Sequence, residues 1–322
     1  MNKLSVIIPV YYSSDTLLDC YEDLKKNALG KIESYELILV DDGSGDNSWE
    51  ICKKIARMDK NVRIIKLSRN FGSHAACYAG LSACTGNCAT IKSADCQEPS
   101  SLIIKMYESW KQGNRVVLAT REGRNEGFSH KTFANIYYGL VRKFVSKKMP
   151  KKGFDCYLID RKVIEALKLL DERNSAITLQ ILWSGFRTSV VPYTRLARQK
   201  GKSRWTLSKK IKLVLDSFVT FSAVPIRFVE WFGVIFAVGS VIWGTLLVIW
   251  KLLGYIEITG WTTLMVFSLF SSGMIMFSLG ILGEYIWRTL DVAQNRPVFF
   301  IEDEINSETK IERCSNQIEE TK

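Results

Sequence analysis

The sequence predicts an α/β protein: a doubly wound, mainly parallel sheet followed by a two-helix membrane hairpin. Three observations carry that expectation. Short apolar runs alternate with helical patterns from Leu4 to Tyr193, the pattern of a parallel sheet with crossover helices. The run Leu37-Ile38-Leu39-Val40 leads straight into Asp41-Asp42-Gly43-Ser44, which puts two carboxylates where open α/β sheets bind ligands. Two segments near the C-terminus, Trp231–Trp250 and Thr262–Leu282, contain no charged residue. Each is about 20 residues long, enough to cross roughly 30 Å of hydrocarbon.

The elements follow in order. Leu4–Val10 reads as a buried strand, and Met1–Val10 is too short for a signal peptide. Thr16–Leu29 has a helical pattern, Glu36–Val40 is a strand, and Ser48–Met58 is a helix that Ser44 or Asp46 could cap. Strand Val62–Leu67, helix Ser73–Cys84, strand Cys88–Lys92, helix Ser100–Gln112 and strand Arg115–Thr120 continue the alternation. A second set comprises a helix around Phe128–Lys147, a strand near Asp155–Ile159, helices at Arg161–Leu169 and Ala176–Trp183, and a strand at Thr188–Tyr193. Phe128–Lys148 and Ser208–Phe221 mix aromatics with basic residues. They are expected to lie flat on a bilayer, with ordinary packing on the sheet as the alternative. The tail from Glu302 to Lys322 is polar and acid-rich and is expected to be disordered.

The chain carries 44 Lys+Arg against 33 Asp+Glu, a net charge of +11. The stretch from Arg121 to Lys212 alone holds 22 basic and 7 acidic residues, so it accounts for the whole excess. Together with the apolar segments this charge points to an anionic bilayer and anionic ligands, and the acidic strand ends argue against nucleic acid. Basic residues crowd the flank before the hairpin, whereas the linker Lys251–Trp261 has one Lys and one Glu. The positive-inside rule therefore places head and tail in the cytoplasm. Eight cysteines in such a head are expected to be reduced thiols, mostly small buried side chains. Small residues in the second apolar segment (Ser271, Ser272, Gly273, Ser278, Gly280) would permit close helix contacts and a homo-oligomer.

The fourth strand ends in Ser93-Ala94-Asp95-Cys96-Gln97-Glu98-Pro99. Asp95 and Gln97 can offer two oxygens to Mg²⁺ or Mn²⁺, which favour a carboxylate plus substrate phosphates over an all-protein cage. A plain turn before a helix, with Asp95 as a cap and Pro99 at the first helical position, is the alternative. His74 at a helix start reads either as a phosphate ligand or as a packing residue.

These blocks resemble the membrane-anchored polyprenyl-phosphate glycosyltransferases of glycosyltransferase family 2, from Leu4 to about Ile301. Ser5-Val6-Ile7-Ile8-Pro9-Val10-Tyr11 and Val40-Asp41-Asp42-Gly43-Ser44 resemble the nucleotide-binding segments. Arg69-Asn70-Phe71-Gly72, with Ala75, Ala76 and Gly80, matches a third block. Phe154-Asp155 with Leu158 and Asp160-Arg161 resembles the acceptor-side block. Arg198, Gly201 and Ser203-Arg204-Trp205 resemble the basic loop before the membrane, and Gly283-Glu284-Tyr285 and Arg296-Pro297 follow the hairpin as in the bactoprenol branch.

The resemblance implies a GT-A-like head that moves a sugar from a nucleotide sugar to a polyprenyl phosphate, with inversion, at the inner leaflet of a bacterial cytoplasmic membrane. It implies a donor site of Pro9, Tyr11, Asp41, Asp42, Asn70, Ser93 and Arg121, and a metal site of Asp95 and Gln97. Lys131, Arg195 and Arg198 would hold the acceptor phosphate, and Asp95, Asp155 and Arg198 would carry catalysis. The expected organisation is a head over 1–206 and a juxtamembrane amphipathic helix over 207–227. A hairpin over 228–287 (helices at about 229–251 and 262–284) and a cytoplasmic tail over 288–322 complete it. Two departures stand out: Ser93 replaces the first acid of the usual Asp-x-Asp, and Tyr12-Ser13 replaces the usual Asn-acid pair. Two other functions compete. A processive polysaccharide synthase would need a Gln-x-x-Arg-Trp motif, whereas Gln199 and Arg204-Trp205 are spaced too far apart. A degenerate lipid-binding scaffold would have lost catalysis with the first metal-site acid.

Overall fold

The computed structural model describes residues 2–122, 137–170, 176–196, 219–254 and 260–306. By internal contacts the chain divides into two units, Met1–Val214 with Pro297–Lys322, and Leu215–Arg296.

The first unit is built on an eight-stranded sheet in the order β7-β5-β6-β4-β1-β2-β3-β8. The strands are β1 (Lys3–Val10), β2 (Ser34–Asp41), β3 (Val62–Leu67), β4 (Cys88–Ile91), β5 (Val116–Arg121), β6 (Cys156–Asp160), β7 (Thr188–Tyr193) and β8 (Ile301–Ile305). Helices α1 (Leu17–Asn27), α2 (Ser48–Met58), α3 (Ser73–Ala83) and α4 (Ser101–Lys111) connect the first five strands. Helices α5 (Arg161–Lys168) and α6 (Ile177–Trp183) lie between β6 and β7. Parallel pairing joins β4-β1-β2-β3 and β5-β7. The sheet is thus α/β and mostly parallel, as expected from the alternation of strand and helix patterns.

Two strands run against that direction. β6 is antiparallel to both β4 and β5, and β8 is antiparallel to β3. Strand β8 corrects the expectation of disorder at the start of the acidic tail: Ile301–Ile305 completes the sheet edge, and residues 307–322 lie outside the described residues. Acidic composition misled there because Glu302 and Glu304 meet basic partners on β3. Lys66 pairs with Glu302 at 3.0 Å, and Arg63 pairs with Glu304.

The core explains why the strands read as continuous apolar runs. In β1 and β2, Leu4, Val6, Ile7, Ile8, Leu37, Ile38, Leu39 and Val40 are all buried, because helices cover both faces. Gly80 lets α3 lie flush on β1, since a Cβ there would fall 2.3 Å from Ile7 Cγ2. Glu36 is a charged residue buried among them. It accepts from Ser5 Oγ at 2.5 Å, from the Thr85 backbone and hydroxyl at 2.6 and 2.7 Å, and from Gly86 at 3.1 Å. Burial would raise its carboxyl, but these donors and Lys3 outweigh burial and hold it at about 2.

The second unit contains α7 (Val224–Leu252) and α8 (Trp261–Ala293). Their apolar windows have mean hydropathy 2.3 and 1.9 and no buried share, so these are not core helices of a soluble domain. Phe236 packs against both Phe267 and Phe270 at 5.8 Å, which joins the two helices side by side. With 33 residues α8 is about 50 Å long, more than a hydrocarbon core requires. Its last turns are polar accordingly: Glu284 pairs with Arg288 at 2.8 Å, and Arg288 donates to Thr220 Oγ1 at 2.8 Å. The tail expected from residue 288 is therefore helix up to Ala293 and strand at β8. Of the two expected interfacial helices, residues 137–144 and 219–221 are helical, whereas residues 145–148 form a turn, so the first ends earlier than expected; residues 128–136 and 208–218 lie outside the described residues.

Candidate functional site

Strand direction assembles the site. The parallel strands deliver the residues that follow them to one end of the sheet, at their carboxyl termini. β6 runs the other way, so the residue that precedes it, Asp155, arrives at the same end. This is why one candidate comes before its strand and the others come at or after theirs.

After β1 the chain turns sharply at Tyr12, whose φ is +49°. Tyr11 and Tyr12 are both exposed and meet edge to face at 4.8 Å. The turn is fastened to the end of β2: Tyr12 N–H donates to Ser44 Oγ at 3.1 Å, Ser13 N–H to Ser48 Oγ at 2.8 Å, and Ser14 N–H to Asp46 Oδ2 at 3.3 Å. Asp46 thus ties the loop as well as the start of α2. Pro9 lies within β1 opposite Val40 and is half-buried.

Asp41 and Asp42 differ in role. Asp42 accepts from the backbone N–H of Phe71 at 2.7 Å and of Gly72 at 3.0 Å, so it grips the loop after β3. Asp41 is wholly buried, and neither carboxylate oxygen has a well-formed hydrogen bond; the Ser44 hydroxyl and N–H approach it closely enough to favour its charged form. Burial pushes both carboxyls above their ordinary range. Ser44 partly opposes this at Asp41, and the Phe71 and Gly72 amides do so at Asp42. Gly43 makes the close turn possible: its φ is +64°, and a Cβ would fall 2.5 Å from the Arg69 carbonyl carbon. Asn70 is exposed on the loop that Asp42 holds. His74 lies one turn from Tyr78 on α3, the two rings stacked at 6.4 Å.

The turn after β4 is tightly organised. Cys96 adopts φ +55°, and Gln97 N–H donates to Asp95 Oδ1 at 3.3 Å. Beneath it Lys92, only 2% exposed, donates to the Glu98 carbonyl at 2.6 Å. The Gln97 amide oxygen accepts from Arg195 Nη2, and its backbone carbonyl accepts from Leu196 N–H at 2.9 Å. Ser93 is half-buried at the start of this turn. Asp95 and Gln97 fit a hard divalent ion that draws its other ligands from phosphate oxygens. Among the described residues no cluster of three His, Cys, Asp or Glu side chains adds to them.

Asp155 forms an ion pair with Arg121 and accepts from the Tyr193 hydroxyl at 3.2 Å. Tyr193 was not anticipated from the sequence. Its only signal was its place at the last residue of β7, beside β5. Asp95, Gln97, Arg195, Arg121 and Asp155 thus belong to adjoining hydrogen-bonded groups. Lys131 and Arg198 lie outside the described residues.

The site can be set beside known proteins. The family profile described as "Glycosyl transferase family 2" matches residues 5–168. The uncharacterized glycosyltransferase YkcC of Bacillus subtilis is 35% identical over 309 residues, covering 96% of each chain. The prophage bactoprenol glucosyl transferase homolog of Escherichia coli is 30% identical over 300 residues, covering 93% of this chain and 98% of that protein. Among solved structures, the mannosyltransferase PcManGT from Pyrobaculum calidifontis, in complex with GDP-Man and Mn²⁺, superposes with a TM-score of 0.50 at 15% identity. The match covers 70% of this chain and 64% of that one, a likeness of fold.

Proposed function

From the premise that this chain belongs to glycosyltransferase family 2 and is a glycosyltransferase, we propose that it transfers a sugar from a nucleotide sugar to a polyprenyl phosphate. Transfer would proceed with inversion at the cytoplasmic leaflet of a bacterial inner membrane. The observation that carries this reading is the convergence of Asp95, Gln97, Arg195, Arg121 and Asp155 at one end of the sheet in a chain that also has two lipid-compatible helices. The relatives named bactoprenol glucosyl transferases support the lipid acceptor.

The residues divide the work. Tyr11 and the buried Asp41 face the base and ribose, and Asp42 keeps the Asn70 loop in place. Mg²⁺ or Mn²⁺ held by Asp95 and Gln97 would neutralise charge on the departing nucleoside diphosphate. Arg195, already at the Gln97 amide oxygen, adds a forked cation beside that charge. Asp155 and Tyr193 fix the Arg121 guanidinium, so that its remaining N–H groups point at phosphate without reorganisation. A phosphate monoester is ionised near neutral pH, so the acceptor oxygen needs alignment more than deprotonation. Lys131 and Arg198 are assigned to the acceptor phosphate by resemblance.

The test is transfer of labelled sugar to a short-chain polyprenyl phosphate, with and without Mn²⁺, across UDP-, GDP- and CDP-sugars. Product with one donor, of inverted anomeric configuration, is the expected result. No transfer under any condition would favour the scaffold alternative, and a lengthening glycan product would favour the processive synthase.

A further inference from the structure

The donor-side loop has a partner that the reaction itself does not require. Residues 69–72 are held from below by Asp42, through the N–H groups of Phe71 and Gly72. From above they meet the segment that follows the membrane hairpin. Ser68 N–H donates to the Phe300 carbonyl at 3.0 Å, and the Phe300 ring lies 6.2 Å from that of Phe71. The Arg69 guanidinium sits 4.1 Å from the Phe71 ring centroid. Phe299, the preceding residue, reaches Tyr78 on α3 at 6.3 Å instead. Neighbouring side chains of an extended segment point to opposite sides, so one aromatic braces the helix and the next braces the loop. Strand β8 then locks the segment along β3 through the Lys66–Glu302 and Arg63–Glu304 pairs.

Phe300 is 55% exposed. A half-exposed ring contributes little burial, so its ring contact with the loop, rather than core packing, is its evident role. We propose that Phe300 is a positioning residue for donor binding: the strand that returns from the membrane hairpin forms the outer wall of the 69–72 loop and sets nucleotide affinity through it. The chain passes from Arg296, the last residue of the membrane unit, to this contact within four residues. The inference rests on the donor-site assignment above.

The experiment uses the full chain in lipid nanodiscs. The probe is whichever of UDP, GDP or CDP, with Mn²⁺, stabilises the wild type against heat. Phe300→Ala is expected to weaken that nucleotide's affinity about five- to tenfold, the value of one aromatic pair. The kcat and the KM for polyprenyl phosphate should stay within about twofold, and Phe300→Tyr should restore affinity. Phe300→Leu should fall between, and it replaces the alanine variant if that one does not accumulate. Hydrogen exchange supplies a second readout: the amides of Phe71 and Gly72 should exchange faster in the variant, while those of β1 and β2 keep their rates. Unchanged nucleotide affinity, a tyrosine variant as weak as alanine, or faster exchange across the whole sheet would each overturn the proposal. If none of the three nucleotides stabilises the wild type, the donor assignment itself fails; exchange at Phe71 and Gly72 still decides whether Phe300 holds the loop.

Discussion

At the scale of single residues, two adjacent carboxylates behave differently because their partners differ. Asp42 has two well-formed backbone donors, whereas Asp41 is buried with only the poorly aligned Ser44 nearby. A buried carboxylate with so little hydrogen bonding costs free energy in the ligand-free protein, and a nucleotide can recover that cost by supplying a donor. Asp41→Asn is therefore expected to stabilise the ligand-free chain by on the order of 1 kcal/mol while weakening nucleotide binding. The pH dependence has a definite sign. The folded carboxyl lies above its ordinary 3.8, so the wild type loses stability as pH rises from there through the raised value. The asparagine variant should lack part of that slope, as measured by denaturant unfolding across pH; an unaltered slope would remove Asp41 as its source. Asp95 belongs to the chemistry instead. Asp95→Ala should lower kcat/KM roughly a hundredfold or more while membrane insertion and circular dichroism stay as in the wild type. Near-normal turnover would exclude it from the mechanism.

At the scale of elements, the reversal of β6 and the return of β8 shape the site more than any loop does. β6 brings Asp155 within ion-pairing reach of Arg121, and β8 covers an edge that β3 would otherwise expose. Glu36 does comparable work at the opposite end of the parallel strands, joining β1, β2 and the turn before β4 through Ser5, Thr85 and Gly86. Glu36→Gln is expected to cost about 2–3 kcal/mol, because charged hydrogen bonds are replaced by neutral ones with fewer acceptors. Its folded carboxyl is depressed, so its contribution is complete above the ordinary 4.5 and disappears as pH falls through about 2. Acid unfolding of the variant should lack that component, and coincident acid transitions would contradict it.

At the scale of the whole molecule, a soluble-type sheet and an unburied apolar hairpin share one chain. An arginine near the middle of each helix, Val238→Arg with Phe270→Arg, should cost about 2.5–3.5 kcal/mol per site in a bilayer. The doubly substituted chain should shift from the membrane pellet to the alkaline-extracted fraction. Full retention in the pellet would mean that these helices do not hold the chain to lipid.

Much of this architecture was legible in the residues alone. Among the described residues local periodicity and punctuation set most strands and helices between Leu4 and Tyr193, and Val62–Leu67, Ser48–Met58 and Thr188–Tyr193 fall at their expected bounds. The candidate residues at strand ends were legible for the same reason, since apolar runs ending in acids or glycine are local features. Three things depended on tertiary pairing: the direction of β6, the strand character of the acidic Ile301–Ile305, and the division of labour between Asp41 and Asp42. Each is decided by groups far away in sequence: Arg121 for Asp155, Arg63 and Lys66 for the acids of β8, and the Phe71 and Gly72 amides for Asp42. A chain's own pattern encodes which backbone shape each stretch prefers; which distant donor neutralises a given charge is known only when the sheet has closed.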